Sequence, residues 1–200
     1  MRVLIVGGTG TIGSAVADIL APEHEVITAG STTGDHQVDL GSAPSIRDLL
    51  TRVGLVGGVI CCAGQAAFKP LAELTDTDFE LSLSNKLMGQ VNLVRLGFSS
   101  VRDGGSITLT SGVLAHEPSH GSAAISLVNA GLEGFARAAS LEAPRGIRVN
   151  VVSPPWVSET LAGMGQDPSG GVPAAKVARA YRASFGGTQT GQIIDAREFA

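Results

Sequence analysis

The chain is poor in charged and aromatic residues. Only 16% of its 200 residues are Asp, Glu, Lys or Arg, 4% are aromatic, and the formal net charge is −4. No stretch concentrates Lys and Arg, so a nucleic-acid partner is not expected. No apolar run approaches the roughly 18 residues of a membrane-spanning helix, and the apolar stretch before the first glycines is too short for a signal peptide. We therefore expect neither a nucleic-acid nor a membrane partner.

Cysteine and tyrosine are also scarce. The two cysteines, Cys61 and Cys62, are adjacent, which excludes an ordinary disulfide framework. A chain without such a framework is expected in the cytoplasm. Tyr181 is the only tyrosine, so a reaction that requires a tyrosine proton donor has a single candidate. No metal site is predicted.

Glycine, in contrast, is concentrated near the start of the chain. A strand-like apolar run over residues 3–6 leads into a helical pattern, and four glycines separate the two: Gly7, Gly8, Gly10 and Gly13. A strand, a glycine turn and a helix place the helix N-terminus where it binds a pyrophosphate. The first glycine permits the turn, the middle ones let the backbone approach phosphates, and Gly13 lets the helix pack closely. This segment predicts dinucleotide binding.

Apolar segments alternate between strand and helix patterns along the whole chain. Strands are predicted at about 2–6, 25–29, 36–39, 56–61, 105–110, 147–152 and 191–195. Helices are predicted near 12–20, 43–53, 76–100, 121–141 and 173–184, with a further helical turn at 158–163. This order predicts an α/β fold: a Rossmann-like, doubly wound parallel sheet of about seven strands, with helices on both faces in three layers. One domain over residues 1–200 is expected.

The predicted helices 76–100 and 121–141 are apolar on more than one side. One apolar face of each helix must pack against the sheet, and the other must be buried against a different surface. We therefore expect a homo-oligomer, a dimer or tetramer, that associates through these two helices.

Several segments in the same order resemble the short-chain dehydrogenase/reductase family, and the resemblance covers essentially the whole chain. They are the phosphate loop Val6–Gly13, the adenine-binding pair in Val38–Leu40, the turn Cys61–Gly64, the strand Ile107–Gly112 with the catalytic serine, the strand and nicotinamide loop Gly146–Val157, and the lead-in Thr190–Gln192 to the last strand. The resemblance implies a nicotinamide cofactor and hydride transfer. Gly146–Val157 is the most specific of these segments.

The chain departs from the family at its chemical centre. Family members carry Tyr-x-x-x-Lys on the fifth helix, where the tyrosine is the general acid or base and the lysine holds the nicotinamide ribose. Ile125 and Asn129 stand at these two positions. Isoleucine cannot transfer a proton, and asparagine can hydrogen-bond a ribose hydroxyl but supplies no charge. Tyr181 lies on a late helix at a position that does not match.

Four residues remain as catalytic candidates: Ser111, Lys86, Asn129 and His116. Ser111 occupies the position of the family's catalytic serine, although it could simply cap the strand end. Lys86 stands in Lys-Leu-Met-Gly where the family has a catalytic asparagine, which suggests that the lost cation has moved; a lysine that only packs is the alternative. His116 or His120, on the loop after Ser111, could also take part in the chemistry.

The resemblance also implies a set of cofactor-binding residues. They are Gly7, Thr9, Gly10, Thr11, Ile12, Gly13, Ser31, Asp39, Leu40, Cys62, Ala63, Gly64, Asn129, Pro154 and Val157. NAD sites commonly have an acid at the end of the second strand. Here that strand leads into Gly30–Thr33, which has hydroxyls and no acid. This composition favours NADP over NAD.

Three hypotheses about function follow. The first is an NAD(P)-dependent oxidoreductase with a non-standard catalytic set, acting on a small carbonyl or alcohol. The second is a non-redox enzyme on the same scaffold: an isomerase, dehydratase or cyclase. The third is a cofactor-binding protein without catalysis. The fold alone does not choose among these hypotheses, because function depends on the site. The intact glycine loop favours an oxidoreductase or a protein that only binds the cofactor. The loss of the Tyr/Lys pair favours a non-redox enzyme or a protein that only binds the cofactor.

Overall fold

The computed structural model describes residues 1–200 and contains one seven-stranded, all-parallel sheet. Its strands are β1 (Arg2–Val6), β2 (Glu25–Gly30), β3 (His36–Gln37), β4 (Val56–Cys61), β5 (Val101–Thr110), β6 (Arg148–Ser153) and β7 (Ile193–Asp195). They lie in the order β3-β2-β1-β4-β5-β6-β7. The chain reverses its direction of winding between β1 and β4. The doubly wound fold class is confirmed.

Helices cover both faces of the sheet. They are α1 (Thr11–Leu20), α2 (Ala43–Val53), α3 (Asp76–Leu81), α4 (Met88–Gly97), α5 (Ala123–Glu142), α6 (Ser158–Gly163) and α7 (Ala174–Gly186). Side chains alternate along β1: Leu4 and Val6 pack with α2, α4 and α5, whereas Val3 and Ile5 pack with α1 and α7. This two-residue period explains why β1 reads as a continuous apolar run, since both of its faces are buried.

The predicted helix over 76–100 is wrong as a single element. The structure divides it into α3, a π-helical segment (Ser82–Leu87), α4 and a 3-10 turn (Phe98–Ser100). A π-helical segment widens one turn and changes the direction of its side chains. Lys86 lies in this segment, so the irregularity falls on a predicted catalytic residue.

Several strand boundaries also differ from the prediction, and β7 begins at Ile193 rather than at residue 191. β5 begins at Val101, four residues early, because Val101 pairs with Val56 before the register shifts at Gly58. β3 ends at Gln37, two residues early, although the Val38 amide still donates to the Gly30 carbonyl oxygen of β2. None of the helices combines the length and the apolar character needed to cross a bilayer.

Candidate active site

A large cavity opens at the carboxyl ends of β1, β2 and β4. Its volume is about 380 Å³, within the usual range for ligand sites. It is lined by Val6, Gly7, Thr9, Gly10, Gly30, Ser31, Thr32, Thr33, Val38, Asp39, Leu40, Ala63, Gly64, Gln65 and Asn85. It lies beside β1 and β4, where the strand order reverses and where open α/β sheets bind their ligands. Most of the predicted cofactor residues therefore lie around one space.

The glycine turn forms one wall of this cavity. Gly7 has φ of +82°, a conformation that favours glycine. The Gly10 amide donates to the Gly7 carbonyl oxygen at 3.0 Å, and α1 begins directly after Gly10. The first turn of α1 contains no acidic residue, and the first backbone amides of a helix have no partner within the helix. This end of α1 can therefore accept an anionic group.

Hydroxyl groups line an end of the large cavity that adjoins the glycine turn. Ser31, Thr32 and Thr33 are exposed there, and the Thr33 hydroxyl lies 2.8 Å from that of Thr9. No Lys, Arg or His is among the lining residues. Asp35 points elsewhere, because its carboxylate accepts hydrogen bonds from the Thr28 amide and hydroxyl, which lower its pKa. Its charge is thereby directed away from this end of the cavity.

A second, smaller cavity of about 130 Å³ lies beyond the end of β5. It is lined by Ser111, Gly112, Val113, Leu114, Ile125, Asn129, Pro154, Pro155 and Trp156. Most of these side chains are apolar, and Ile125 adds a methyl-rich surface where the family has a phenol. Trp156 makes an edge-to-face contact with Phe68 at 5.7 Å between ring centroids. The small cavity therefore suits a small, largely apolar molecule.

Lys86 lies between the two cavities. Its side chain packs against Gly64, where an added Cβ would lie 2.9 Å from the lysine Cγ, and its Nζ is 3.5 Å from the Ser111 carbonyl oxygen. Gly64 lines the large cavity and Ser111 the small one. Lys86 is only 8% exposed, and burial lowers its pKa to about 8. Lys86 thus lies between a residue that lines the large cavity and one that lines the small cavity, and its ammonium group does not extend to the surface.

Asn129, which lines the small cavity, has a buried hydrogen-bond acceptor without a partner. Its Nδ2 is 3.5 Å from the Gly112 carbonyl oxygen, but its Oδ1 has no partner although the side chain is buried. A buried polar atom without a partner is costly and usually indicates a functional role or a missing ligand. A ribose hydroxyl would satisfy Oδ1, so the residues present fit a dinucleotide.

Sequence reasoning missed Glu133. The Ser111 hydroxyl donates to Glu133 Oε1 at 2.9 Å, and His116 Nε2 lies 2.5 Å from Glu133 Oε2. Glu133 is 1% exposed and lies on α5, four residues after Asn129. Residues four apart lie on the same face of a helix. The spacing between Asn129 and Glu133 could therefore have indicated that the Glu133 carboxylate faces the same site as Asn129.

Other candidates are separated from this cluster. Tyr181 is fully buried, its hydroxyl lies 2.7 Å from that of Thr110, and burial raises its pKa well above 10; it cannot reach a ligand. His120 is exposed and has no side-chain hydrogen bond, unlike His116. Val157 belongs to the core beside α7. Five further predicted cofactor residues do not line the large cavity. Thr11, Ile12 and Gly13 lie in the first turn of α1, and Cys62 lies directly after β4. Pro154 lines the small cavity.

Comparison with known proteins identifies the lineage. A sequence model of the family described as enoyl-(acyl carrier protein) reductase matches residues 13–187. The chain belongs to the short-chain dehydrogenase/reductase family. This short-chain dehydrogenase/reductase is similar to the protein lin1944 from Listeria innocua, with 42% identity, a TM-score of 0.94 and 98% of each chain covered.

Two further relatives are informative. A small-chain dehydrogenase solved in complex with NADPH is 26% identical, with a TM-score of 0.86, and the match covers 98% of this chain and 95% of that one. The hydroxynaphthalene reductase-like protein Arp2 of Metarhizium brunneum is 30% identical over 152 residues, which are 70% of this chain. The match spans 56% of the length of Arp2, so this short-chain dehydrogenase/reductase corresponds to about half of that relative.

Proposed function

We propose that the protein is an NAD(P)-dependent oxidoreductase that transfers a hydride to or from a small carbonyl or alcohol compound, with NADP favoured. The observation that carries the proposal is the position of Lys86 between Gly64, which lines the large cavity beside the glycine turn, and Ser111, which lines the small apolar cavity. The NADPH complex of a relative with the same fold supports the cofactor class.

The chain offers a defined group for each part of the dinucleotide. The amides at the start of α1 would hold the pyrophosphate, and the hydroxyls of Ser31 and Thr33 would hold the adenosine ribose and its 2′-phosphate. Asp39 would contact the adenine, and Asn129 Oδ1 would accept a hydrogen bond from the nicotinamide ribose. When bound, the reduced nicotinamide supplies a hydride to a carbonyl carbon.

Lys86 and Ser111 then act on the substrate oxygen. As the carbonyl oxygen gains negative charge, a fixed ammonium group beside it stabilises that charge more than it stabilises the neutral substrate. The side chains Leu114, Ile125 and Trp156 give the small cavity apolar walls, and apolar surroundings strengthen this electrostatic effect. The substrate class is therefore small, apolar and carbonyl-bearing.

The burial of Lys86 supports catalysis over cofactor binding alone. Holding an ammonium group away from water destabilises the folded state, and no carboxylate neutralises it, since its one side-chain hydrogen bond goes to a backbone oxygen. A charge kept beside Ser111 at this cost is suited to stabilising negative charge that develops on a substrate oxygen.

Calorimetric titration tests the proposal. We expect the protein to bind NADPH more tightly than NADH, since no acid at the end of β2 repels the 2′-phosphate. The protein with NADPH is then assayed for reduction of 2,3-butanedione and benzaldehyde by loss of absorbance of the reduced cofactor. Binding of none of the four oxidised and reduced dinucleotides would contradict the proposed function.

We also infer that the protein is cytoplasmic and that copies associate through the outer faces of the π-helical segment, α4 and α5. Leu83, Met88 and Leu127 expose 37%, 43% and 51% of their surface there, and burying such side chains favours association. Leu127→Glu is expected to shift the mass measured by sedimentation toward the monomer. Leu55→Glu is the matched control, because Leu55 is 50% exposed and lies between α2 and β4, outside these elements; it should leave the mass unchanged. An unchanged mass for Leu127→Glu would refute this interface.

A further inference from the structure

The cluster of His116, Glu133 and Ser111 forms a continuous set of hydrogen bonds from the surface to the small cavity. His116 has 59% of its side chain exposed, whereas that of Glu133 is 2% exposed. The Ser111 hydroxyl, which lines the small cavity, donates to the carboxylate at 2.9 Å. One end of this set therefore faces solvent and the other faces the proposed substrate.

The hydroxyl hydrogen of Ser111 is donated to Glu133, so it is not available to a substrate in the small cavity. A hydroxyl group has one O–H to donate, and that of Ser111 is directed at Glu133 Oε1. Ser111 therefore presents only acceptor lone pairs to the small cavity while Glu133 is a carboxylate. In this state Ser111 can take a proton from an alcohol but cannot give one to a carbonyl oxygen.

We propose that Glu133 supplies the acid–base function absent at Ile125, and that it acts through the Ser111 hydroxyl. In alcohol oxidation, the substrate O–H passes its proton to Ser111 Oγ while the Ser111 proton passes to Glu133 Oε1. The hydride leaves the substrate carbon for an oxidised nicotinamide dinucleotide, so the carbonyl product has lost one proton and one hydride. Carbonyl reduction runs through the same steps in reverse, starting from protonated Glu133.

His116 connects Glu133 to solvent. Its Nε2 lies 2.5 Å from Oε2, the carboxylate oxygen that does not face Ser111. A half-turn of the carboxyl group exchanges the two oxygens, so a proton taken up from Ser111 passes to the exposed imidazole and then to water. His116 thereby restores the carboxylate after oxidation and reloads the acid before reduction.

Lys86 and Glu133 then have separate roles. The ammonium group approaches the Ser111 backbone oxygen at 3.5 Å, whereas the carboxylate contacts the Ser111 side chain. Lys86 stabilises charge on the substrate oxygen, and Glu133 exchanges the proton. In this division Glu133 exchanges the proton that the family's tyrosine would exchange, and Asn129 would contact the ribose that the family's lysine holds.

Glu133→Gln tests the inference, because glutamine retains the shape and accepts the Ser111 hydrogen bond but cannot take a proton. We expect kcat for 2,3-butanedione reduction to fall roughly 100-fold, the scale of general acid–base catalysis, with the calorimetric Kd for NADPH unchanged. Glu133→Ala should be equally slow and should regain activity when formate is added. Glu142→Gln, an exposed carboxylate on the same helix, is the matched control and should retain full kcat.

The histidine is tested in the same way. His116→Asn should lower kcat and regain it as imidazole buffer is added, whereas His120→Asn on the same loop should behave as the unsubstituted protein. A readout independent of activity is the side-chain ¹⁵N NMR signal of His116, which should move in Glu133→Gln and not in Glu142→Gln. An unmoved signal would mean that the pair does not form in solution and would overturn the inference.

The inference rests on the proposed function, and different experimental results would overturn each of them. Retention of kcat in Glu133→Gln, with turnover in the unsubstituted protein, would overturn the acid–base role of Glu133 alone. Full activity in Glu133→Gln together with loss in Glu133→Ala without formate rescue would assign Glu133 a purely structural role. Absence of any dinucleotide binding or carbonyl reduction by the unsubstituted protein would overturn the proposed function and this inference together.

Discussion

Lys86→Met is expected to lower kcat for carbonyl reduction about 1,000-fold, the upper range for removing one group that stabilises an oxyanion. Methionine fills a similar volume without a charge, so the packing against Gly64 is retained. The Kd for NADPH should change little, since in the proposed binding mode the start of α1 and the hydroxyls of Ser31 and Thr33 would hold the pyrophosphate and the 2′-phosphate. Steady-state kinetics and calorimetry together measure this separation.

The same substitution should stabilise the fold. Burial lowers the pKa of Lys86 from 10.5 to about 8, which corresponds to about 3 kcal/mol at neutral pH. Below pH 8 the lysine is charged in both folded and unfolded states, and the folded state bears the full cost. Between pH 8 and 10.5 the folded protein loses the proton first, and the cost disappears. The gain in Lys86→Met should therefore be largest below pH 8 and shrink above it.

Lys176→Met on α7 is the control, because Lys176 is exposed and its removal should alter neither kcat nor the free energy of unfolding. The unsubstituted protein should also lose reductase activity as pH rises through about 8, where Lys86 loses its charge. Unchanged kcat in Lys86→Met would show that the buried ammonium group has no part in the chemistry.

Gly13→Ala is expected to remove dinucleotide binding and to destabilise the fold. An added Cβ would lie 1.9 Å from the Gly7 carbonyl oxygen and 2.6 Å from its carbon. Both atoms belong to the backbone, so α1 must move away from the glycine turn to accept the methyl group. Overpacking of this kind costs about 3 kcal/mol or more, and the displaced amides would no longer meet the pyrophosphate. Chemical denaturation and NADPH calorimetry measure the two effects.

Gly134→Ala separates this steric effect from the loss of a glycine as such. Gly134 lies within α5, and an added Cβ there has no neighbour within 4 Å. Because alanine favours helices more than glycine, we expect a gain of up to about 1 kcal/mol in stability. Equal stability losses in the two variants would show that close packing against Gly7 is not the reason for glycine at position 13.

Much of the fold could be predicted because it depends on local patterns. Strands buried on both faces require continuous apolar runs, and the run at 3–6 became β1 with its side chains divided between two cores. The interruption of the 76–100 helix could not be predicted, because Ser82–Leu87 contains no glycine or proline to indicate it. In this segment Ser82 and Asn85 accept hydrogen bonds from the amides of Ala67 and Gln65, contacts with a distant loop that helical spacing does not reveal.

The sequence by itself determined the glycine turn, the order of strands and helices, the loss of the tyrosine and lysine at positions 125 and 129, and the substitution at Lys86. Each of these depends on residue type and spacing along the chain. Only the tertiary structure decided that Lys86 is buried between two cavities, that Asn129 has a free acceptor, and that Glu133 bridges Ser111 and His116. These relations depend on side chains that α5, β5 and the following loop bring together across 22 residues of chain, and spacing alone does not encode such contacts.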